Sequence, residues 1–122
     1  MPLLTISTAA DPNPADREEF LEDLADLYAE VMDSETSFVS IRFQSVDPED
    51  IWLGRAEPGA PIVLLEADIR EGRPVSQRRS FALDAMERFR EEWEVPPPNM
   101  KVVFTEHEGS HMMGYDRVGS DW

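Results

Sequence analysis

The stretch that decides the fold is PIVLLEADIREGRPVSQ, residues 61–77. It begins with the apolar run PIVLLEA, in which proline stands only at the start, and this pattern is typical of a strand buried on both faces. REGRPVSQ then predicts a tight connection. Beyond it, apolar residues recur along one helical stripe: Phe81, Ala82, Ala85, Met86, Phe89 and Trp93. VPPPN, residues 95–99, ends this helix because prolines cannot continue its hydrogen-bond ladder, and MKVVFTE, residues 100–106, is the last main strand.

The same order of elements precedes this stretch. PLLTIST, residues 2–8, alternates as a strand does. Asn13 is the predicted N-cap of a helix and Pro14 its first residue, which are positions that favour these residue types. Apolar side chains follow at helical spacing up to Val31, and SFVSIRFQ, residues 37–44, alternates again as a strand.

The two halves match with an offset of about 60 residues, because Pro2-Leu3-Leu4 aligns with Pro61-Ile62-Val63 and Pro14 with Pro74. A period of this length indicates a duplicated supersecondary unit. We therefore predict an α+β fold of two β-α-β units, with a four-stranded mixed sheet and both helices on one face. Residues 1–122 form one domain, with halves at about 1–57 and 58–122. An apolar second sheet face predicts self-association.

Composition restricts the partners. The 122 residues include 26 acidic and 11 basic side chains, for a net charge of −15. A field of this sign repels nucleic acid and anionic lipid, so neither is an expected partner. Cysteine is absent, which excludes disulfides and thiolate chemistry. The N-terminus lacks a basic signal-peptide region and no apolar run is long enough to span a membrane, so a cytoplasmic location is expected.

Positive charge is concentrated in one place. Arg70, Arg73, Arg78 and Arg79 fall within ten residues of an otherwise acidic chain. Guanidinium groups gathered in this way are typical of an anion site. Arg78 and Arg79 lie on the predicted second helix, where pairing with surface carboxylates is the preferred interpretation. Arg70 and Arg73 flank the turn and are the candidates for binding an anion.

The sequence resembles the tautomerase superfamily over essentially its whole length. The resemblance rests on the β-α-β repeat, the proline directly after the initiator methionine, and the turn IREGR at 69–73. It is greatest for the cis-3-chloroacrylic acid dehalogenase branch, through FVSIRFQSVDPEDIWLG, KVVFTE and MMGYDR, while REGR is similar to 4-oxalocrotonate tautomerase. The resemblance implies a homotrimer that needs no cofactor or metal.

Three positions carry over from this resemblance. Pro2 matches the catalytic N-terminal proline once Met1 is removed, and Arg70 and Arg73 match the arginines that bind the substrate carboxylate. Three positions differ from the dehalogenases, which have a histidine, a tyrosine and a water-activating glutamate where this chain has Tyr28, Val103 and Gly114. Tyr28 is a candidate substrate contact, although its place on the apolar stripe equally suits a core tyrosine.

These residues suit proton transfer in a small 2-keto carboxylic acid. An amine whose pKa is lowered by burial and nearby arginines is a base matched to neutral pH, and the arginines would hold the carboxylate and polarise the enolate. The first hypothesis is therefore a tautomerase. The alternatives are a lyase on a three-carbon acid, which is a decarboxylase, hydratase or dehalogenase, and a non-catalytic trimer. Asp33 and Glu35 loosely match the acid of superfamily decarboxylases.

A metal site is the weakest of the possibilities. His107 and His111 are four residues apart, with Glu106 and Glu108 beside them. The predicted change from strand to loop between the two histidines does not place them on one face. No metal is therefore expected.

Overall fold

The computed structural model describes residues 1–119 and contains four strands and two long helices. The strands are β1 (Leu3–Thr8), β2 (Ser40–Ser45), β3 (Val63–Arg70) and β4 (Met100–His107). The helices are α1 (Pro14–Val31) and α2 (Val75–Trp93). None of the helices between residues 1 and 119 is long and apolar enough to cross a membrane.

The sheet has the order β2-β1-β3-β4. β1 and β2 are parallel, as are β3 and β4, which is the arrangement that a helical crossover requires. The two β-α-β units join through β1 and β3, which run antiparallel. The sheet is therefore mixed, as the sequence predicts, and β3 and β4 begin sixty residues after β1 and β2, respectively.

The start of α1 confirms the predicted cap. The side chain of Asn13 accepts a hydrogen bond from the Asp16 backbone N–H at 2.9 Å, and Pro14 is the first helical residue. Proline suits this position because its missing N–H would have no partner inside the helix. In the second unit, α2 ends at Trp93, and the next residue, Glu94, has a left-handed φ of 54°. Three prolines stand after Val95.

Both helices pack on one face of the sheet, where the core lies. Phe20, Leu24 and Tyr28 of α1 and Phe81, Ala85 and Phe89 of α2 are buried against the inward residues of β1 and β3. Ile41 and Phe43 of β2 pack beside them, and the ring of Trp93 lies 4.2 Å from that of Phe20. The predicted apolar stripes therefore form one core.

The expectation that β3 is buried on both faces is wrong for the single chain. Its inward residues alternate as Val63, Leu65, Ala67 and Ile69, all at most 1% exposed. The residues between them are Leu64, Glu66, Asp68 and Arg70, and Leu64 is the one apolar side chain among these four. Because successive side chains of a strand point to opposite faces, Leu65 lies on the inner face of the sheet and Leu64 on the outer face. The β3 sequence thus forms one apolar face of the sheet, so it gives no reason to expect a second layer packed on the other face.

A long connection between β2 and β3 is held by a buried polar residue. Asn99 is fully buried, and its side-chain oxygen accepts a hydrogen bond from the Glu57 backbone N–H at 2.7 Å. Its amide nitrogen lies within hydrogen-bond distance of the Glu57, Ala60 and Pro61 carbonyls, at 3.1–3.3 Å. Residue 99 thus ties the start of β4 to the segment that leads into β3.

Candidate functional site

The antiparallel pairing of β1 and β3 brings the chain terminus to the IREGR turn. Leu3 pairs with Asp68, so Pro2 lies beside the end of β3. The end of α1 and the short helical turn Thr36–Phe38 lie at the same edge and complete a cavity of about 600 Å³. Its walls are Met1, Pro2, Tyr28, Asp33, Ser34, Glu35, Phe38, Arg70, Arg73 and Arg117. The cavity therefore contains all four of the predicted site residues.

Pro2 is buried and its position is fixed by β2. Its carbonyl oxygen accepts hydrogen bonds from the Ser40 backbone N–H at 3.0 Å and from the Ser40 hydroxyl at 2.9 Å. The ring nitrogen of Pro2 is bonded to Met1 in this chain, so removal of Met1 would expose a secondary amine at this point. A base held by a strand in this way has little freedom to leave its reactive geometry.

Arg73 is oriented by the end of α1. Its Nε donates a hydrogen bond to the Met32 carbonyl at 3.0 Å, which fixes the plane of the guanidinium group. The preceding Gly72 has a φ of 108°, a conformation that other residues rarely adopt. Glycine at 72 therefore permits the tight turn that aims Arg73 into the cavity rather than along α2.

Arg70 is oriented by the loop that follows β4. Its Nη1 donates to the Gly119 carbonyl at 2.9 Å. A Cβ atom on Gly119 would lie 2.4 Å from the Gly109 carbonyl oxygen, which is a severe clash. Glycine is thus required where this loop closes on itself, and the closed loop presents the carbonyl that holds Arg70.

The terminal amine reports the electrostatic character of the cavity. Burial and the guanidinium groups of Arg70 and Arg73 lower the pKa of the Met1 amine from 8.0 to about 6. Burial is the largest cause and Arg70 the larger of the two charge effects. Both causes disfavour a cation. The site is therefore suited to a neutral amine that can accept a proton, with an anionic ligand beside it.

The surroundings of Tyr28 are compatible with both roles that the sequence left open. It is 1% exposed and packs edge-on against Phe81 at 5.1 Å, as a core aromatic residue does. It also lines the cavity. Burial raises the pKa of Tyr28 to about 12, although Arg73 and Arg70 act in the opposite direction. Its hydroxyl consequently stays protonated at neutral pH and can donate a hydrogen bond.

Sequence reasoning missed one charged wall of the cavity. Arg117 lines the site and its guanidinium lies 4.8 Å from the centre of the Phe38 ring, at cation–π distance. It belongs to a loop without periodicity, so its only signal was the segment MMGYDR that supports the resemblance. Asp33 and Glu35, which matched loosely, also line the cavity.

The arginines and histidines that the sequence did not favour as site residues lie elsewhere. Arg78 forms an ion pair with Glu106 on β4, as predicted for a helix-surface arginine. His107 contacts Asp68 at 2.9 Å on the face of the sheet opposite the helices, whereas His111 lies 3.9 Å from Glu108. Within residues 1–119, no group of three or more histidine or carboxylate side chains is arranged to hold a metal.

Comparison with solved structures identifies the architecture. N1, a member of the cis-3-chloroacrylic acid dehalogenase family, is 24% identical, with a TM-score of 0.83 over 95% of this chain and 82% of that chain. The chain has the tautomerase fold. The Q0 fused 4-OT, a symmetric trimer, is 18% identical, with a TM-score of 0.83 over 98% of this chain and 96% of that one. Pt0534, solved after inactivation by 2-oxo-3-pentynoate, is 16% identical, with a TM-score of 0.82 over the same shares. No protein-family model and no curated protein matches.

Val103 and Gly114, two of the positions at which the sequence departs from the resemblance to the dehalogenases, lie in different surroundings within this tautomerase fold. Val103 is on the face of β4 opposite the helices, 44% exposed and in register with Glu66, outside the cavity lining. Gly114 lies against the Met1 side chain, so it borders the site. Residue 114 thus affects the space next to the N-terminus, whereas residue 103 does not line the cavity of the single chain.

Proposed function

We propose that the mature protein is a tautomerase of small 2-keto carboxylic acids, with Pro2 as the proton carrier and Arg70 and Arg73 as the carboxylate clamp. The observation that carries this proposal is that the buried Pro2 lines the same cavity as Arg70 and Arg73. Burial and these two arginines also lower the pKa of the Met1 amine that precedes it. An amine that is largely unprotonated at neutral pH, beside two groups that bind anions, is suited to general base chemistry on a carboxylate substrate.

The proton path is short. The Pro2 nitrogen, freed by loss of Met1, takes the proton from the enol hydroxyl at C2 and leaves an enolate. The same nitrogen, now protonated, gives a proton to C3, which restores the free amine and completes the ketone. Arg70 and Arg73 hold the carboxylate and stabilise the negative charge that develops on the C2 oxygen. Tyr28 supplies a further hydrogen-bond donor.

A homotrimer is part of the proposal. The fused 4-OT of the same fold is a symmetric trimer, and this neighbour supports the same assembly here. Size-exclusion chromatography with light scattering should give three times the chain mass of 13.9 kDa. A monomer that retains full activity would remove assembly from the proposal.

The activity is tested with the enol of phenylpyruvate, whose absorbance falls as the ketone forms. We expect Pro2→Ala and Arg73→Ala each to lower kcat/KM by at least a hundredfold, since each removes a group that acts at the reacting atoms. Arg79→Ala is the matched control, because Arg79 is exposed on α2 and outside the cavity lining. An unchanged rate for Pro2→Ala would contradict the mechanism.

Chemical labelling separates a reactive amine from an inert one. Pt0534 was solved after inactivation by 2-oxo-3-pentynoate, an acetylenic 2-keto acid that a neutral amine can add to. The same compound should modify this protein once per chain at Pro2, as peptide mass spectrometry would read. A chain that still carries Met1 should not be labelled at Pro2.

A lyase is the second candidate, and one observation favours it. Asp33 and Glu35 line the cavity together with the arginines, so an acid lies near the carboxylate clamp. Incubation with malonate semialdehyde, followed by NMR, would detect decarboxylation as the appearance of acetaldehyde. Loss of that product in Asp33→Asn or Glu35→Gln, with enol conversion retained, would favour the lyase.

A further inference from the structure

Met1 lines the cavity together with Arg70 and Arg73, and its side chain contacts Gly114. Its amine lies where Arg70 and Arg73 lower its pKa. Its side chain lies against Gly114: a Cβ atom built on Gly114 would lie 2.7 Å from the Met1 Sδ and 3.1 Å from its Cε. The Met1 side chain therefore fills the space directly above the Gly114 backbone.

Gly114 is not needed for the shape of its loop. The glycines with a positive φ in the described chain are Gly59 and Gly72, so residue 114 has a backbone that other residues can adopt. Leaving aside Met1 and the two residues next to Gly114 in sequence, the nearest atom to the point where its Cβ would lie is an Asp116 carboxylate oxygen, at an ordinary contact distance of 3.9 Å. What glycine provides here is room for the group that Met1 places there.

We propose that this space is a substrate subsite, which takes an unbranched apolar substituent on C3 of the 2-keto acid, and that Gly114 determines its length. The inference rests on the proposed function. The Met1 side chain stands in for the substituent, and its amine marks the side of the arginines, where the substrate carboxylate belongs. After Met1 is removed, a substrate with C3 beside the Pro2 nitrogen can direct its carboxylate to the arginines and its substituent to Gly114.

The Met1 side chain indicates the size of the substituent that the subsite can take. A methionine side chain is an unbranched chain of four heavy atoms, Cβ, Cγ, Sδ and Cε. Straight chains of about this length should fill the subsite, and branched ones should not enter the space above the Gly114 backbone. Each methylene group that leaves water for this space is worth about a fourfold gain in kcat/KM.

The test uses exchange of the C3 protons for deuterium, followed by NMR, in a series of straight-chain 2-keto acids. Pyruvate places nothing in the subsite, and the longer members add one to five carbons to C3. For the mature protein we expect kcat/KM to rise about fourfold per carbon up to about four carbons and then to level off. A 3,3-dimethyl 2-oxo acid cannot exchange at C3, so a branch one carbon further out serves as the branched comparison.

Gly114→Val is the decisive variant. Its side chain occupies the subsite, so the ratio of kcat/KM for the four-carbon substituent to that for pyruvate should fall close to one. Tyr115→Ala is the matched control, because Tyr115 is in the same loop and fully exposed, and it should keep the wild-type ratio. Circular dichroism spectra and melting temperatures would show that both variants fold.

The outcomes separate the two proposals. Exchange that does not depend on chain length, or a ratio that Gly114→Val leaves unchanged, overturns the subsite and leaves the tautomerase standing. Absence of exchange with every member of the series overturns both. A ratio that rises with length and collapses in Gly114→Val, while Tyr115→Ala keeps it, supports the subsite.

Discussion

A chain that keeps Met1 allows the charge of the cavity to be measured directly. Such a chain is obtained by expression with methionine aminopeptidase inhibited. The pKa of its terminal amine is about 6, against an ordinary value of 8.0. At pH 7 the amine would then be about one-tenth protonated, whereas an ordinary terminal amine is about nine-tenths protonated. The difference is large enough to be measured without kinetics.

The three causes predict an order among variants. Arg70→Gln should raise the pKa of the amine more than Arg73→Gln, because Arg70 is the larger of the two charge effects. Neither variant should restore 8.0, since burial is the largest cause and remains. Arg79→Gln serves as the control and should leave the titration midpoint unchanged, because this exposed arginine is outside the cavity.

The assay is an NMR titration of protein labelled with ¹³C at the methionine methyl groups, with the Met1 signal assigned from the mature protein that lacks it. A midpoint near 8, or midpoints that neither arginine variant moves, would refute the electrostatic account of the site. The same shift predicts stability. Between about pH 6 and 8 the unfolded chain binds the proton and the folded chain does not, so the unfolding free energy of the Met1-retaining chain rises with pH across this window.

Three further results are expected. Gly119→Ala should lower kcat/KM even at temperatures where the variant is still fully folded, because the clash at 2.4 Å moves the carbonyl that holds Arg70. A normal kcat/KM would show that this contact does not position the arginine. Asn99→Ala should cost about 1–3 kcal/mol in urea unfolding by leaving buried backbone groups unpaired, with kcat/KM retained. Tyr28→Phe keeps the packing on Phe81 and should raise KM up to about tenfold, the value of one neutral hydrogen bond; an unchanged KM would make Tyr28 a core residue alone.

The strands and helices could be predicted because their signals are local. The period of 3.6 residues in α1 and the cap at Asn13 depend on neighbours in sequence, and both are present in the structure. The failure at β3 has the same origin. In PIVLLEA the adjacent Leu64 and Leu65 look like a doubly buried strand, yet Glu66 and Asp68 follow on the outer face. A short apolar segment in a strand therefore does not show whether one face of the strand is buried or both.

The site could be predicted only as far as chain order and resemblance reach. Pro2 and the turn at 69–73 meet because β1 and β3 pair antiparallel, a fact of topology that the repeat alone does not provide. Arg117 was missed because its position depends on a loop closed by the contact between Gly119 and Met112, and such closure has no periodic signature. The space above Gly114 could not be predicted either, because the sequence does not distinguish a glycine that leaves room for another group from a glycine that permits a turn.

The net charge of the chain is negative, whereas the arginines of the site are positive. The distance between a ligand and the protein determines which of these charges has the larger electrostatic effect on the ligand. The chain carries −15, so a small carboxylate far from the protein is repelled. At physiological ionic strength that field is largely screened beyond about 8 Å. Within the cavity the half-buried guanidinium groups of Arg70 and Arg73 act at short distance, where salt screens their charge less. The pKa of the Met1 amine agrees with this: burial is the largest cause of its decrease, Arg70 and Arg73 lower it further, and negative charge alone would have raised it.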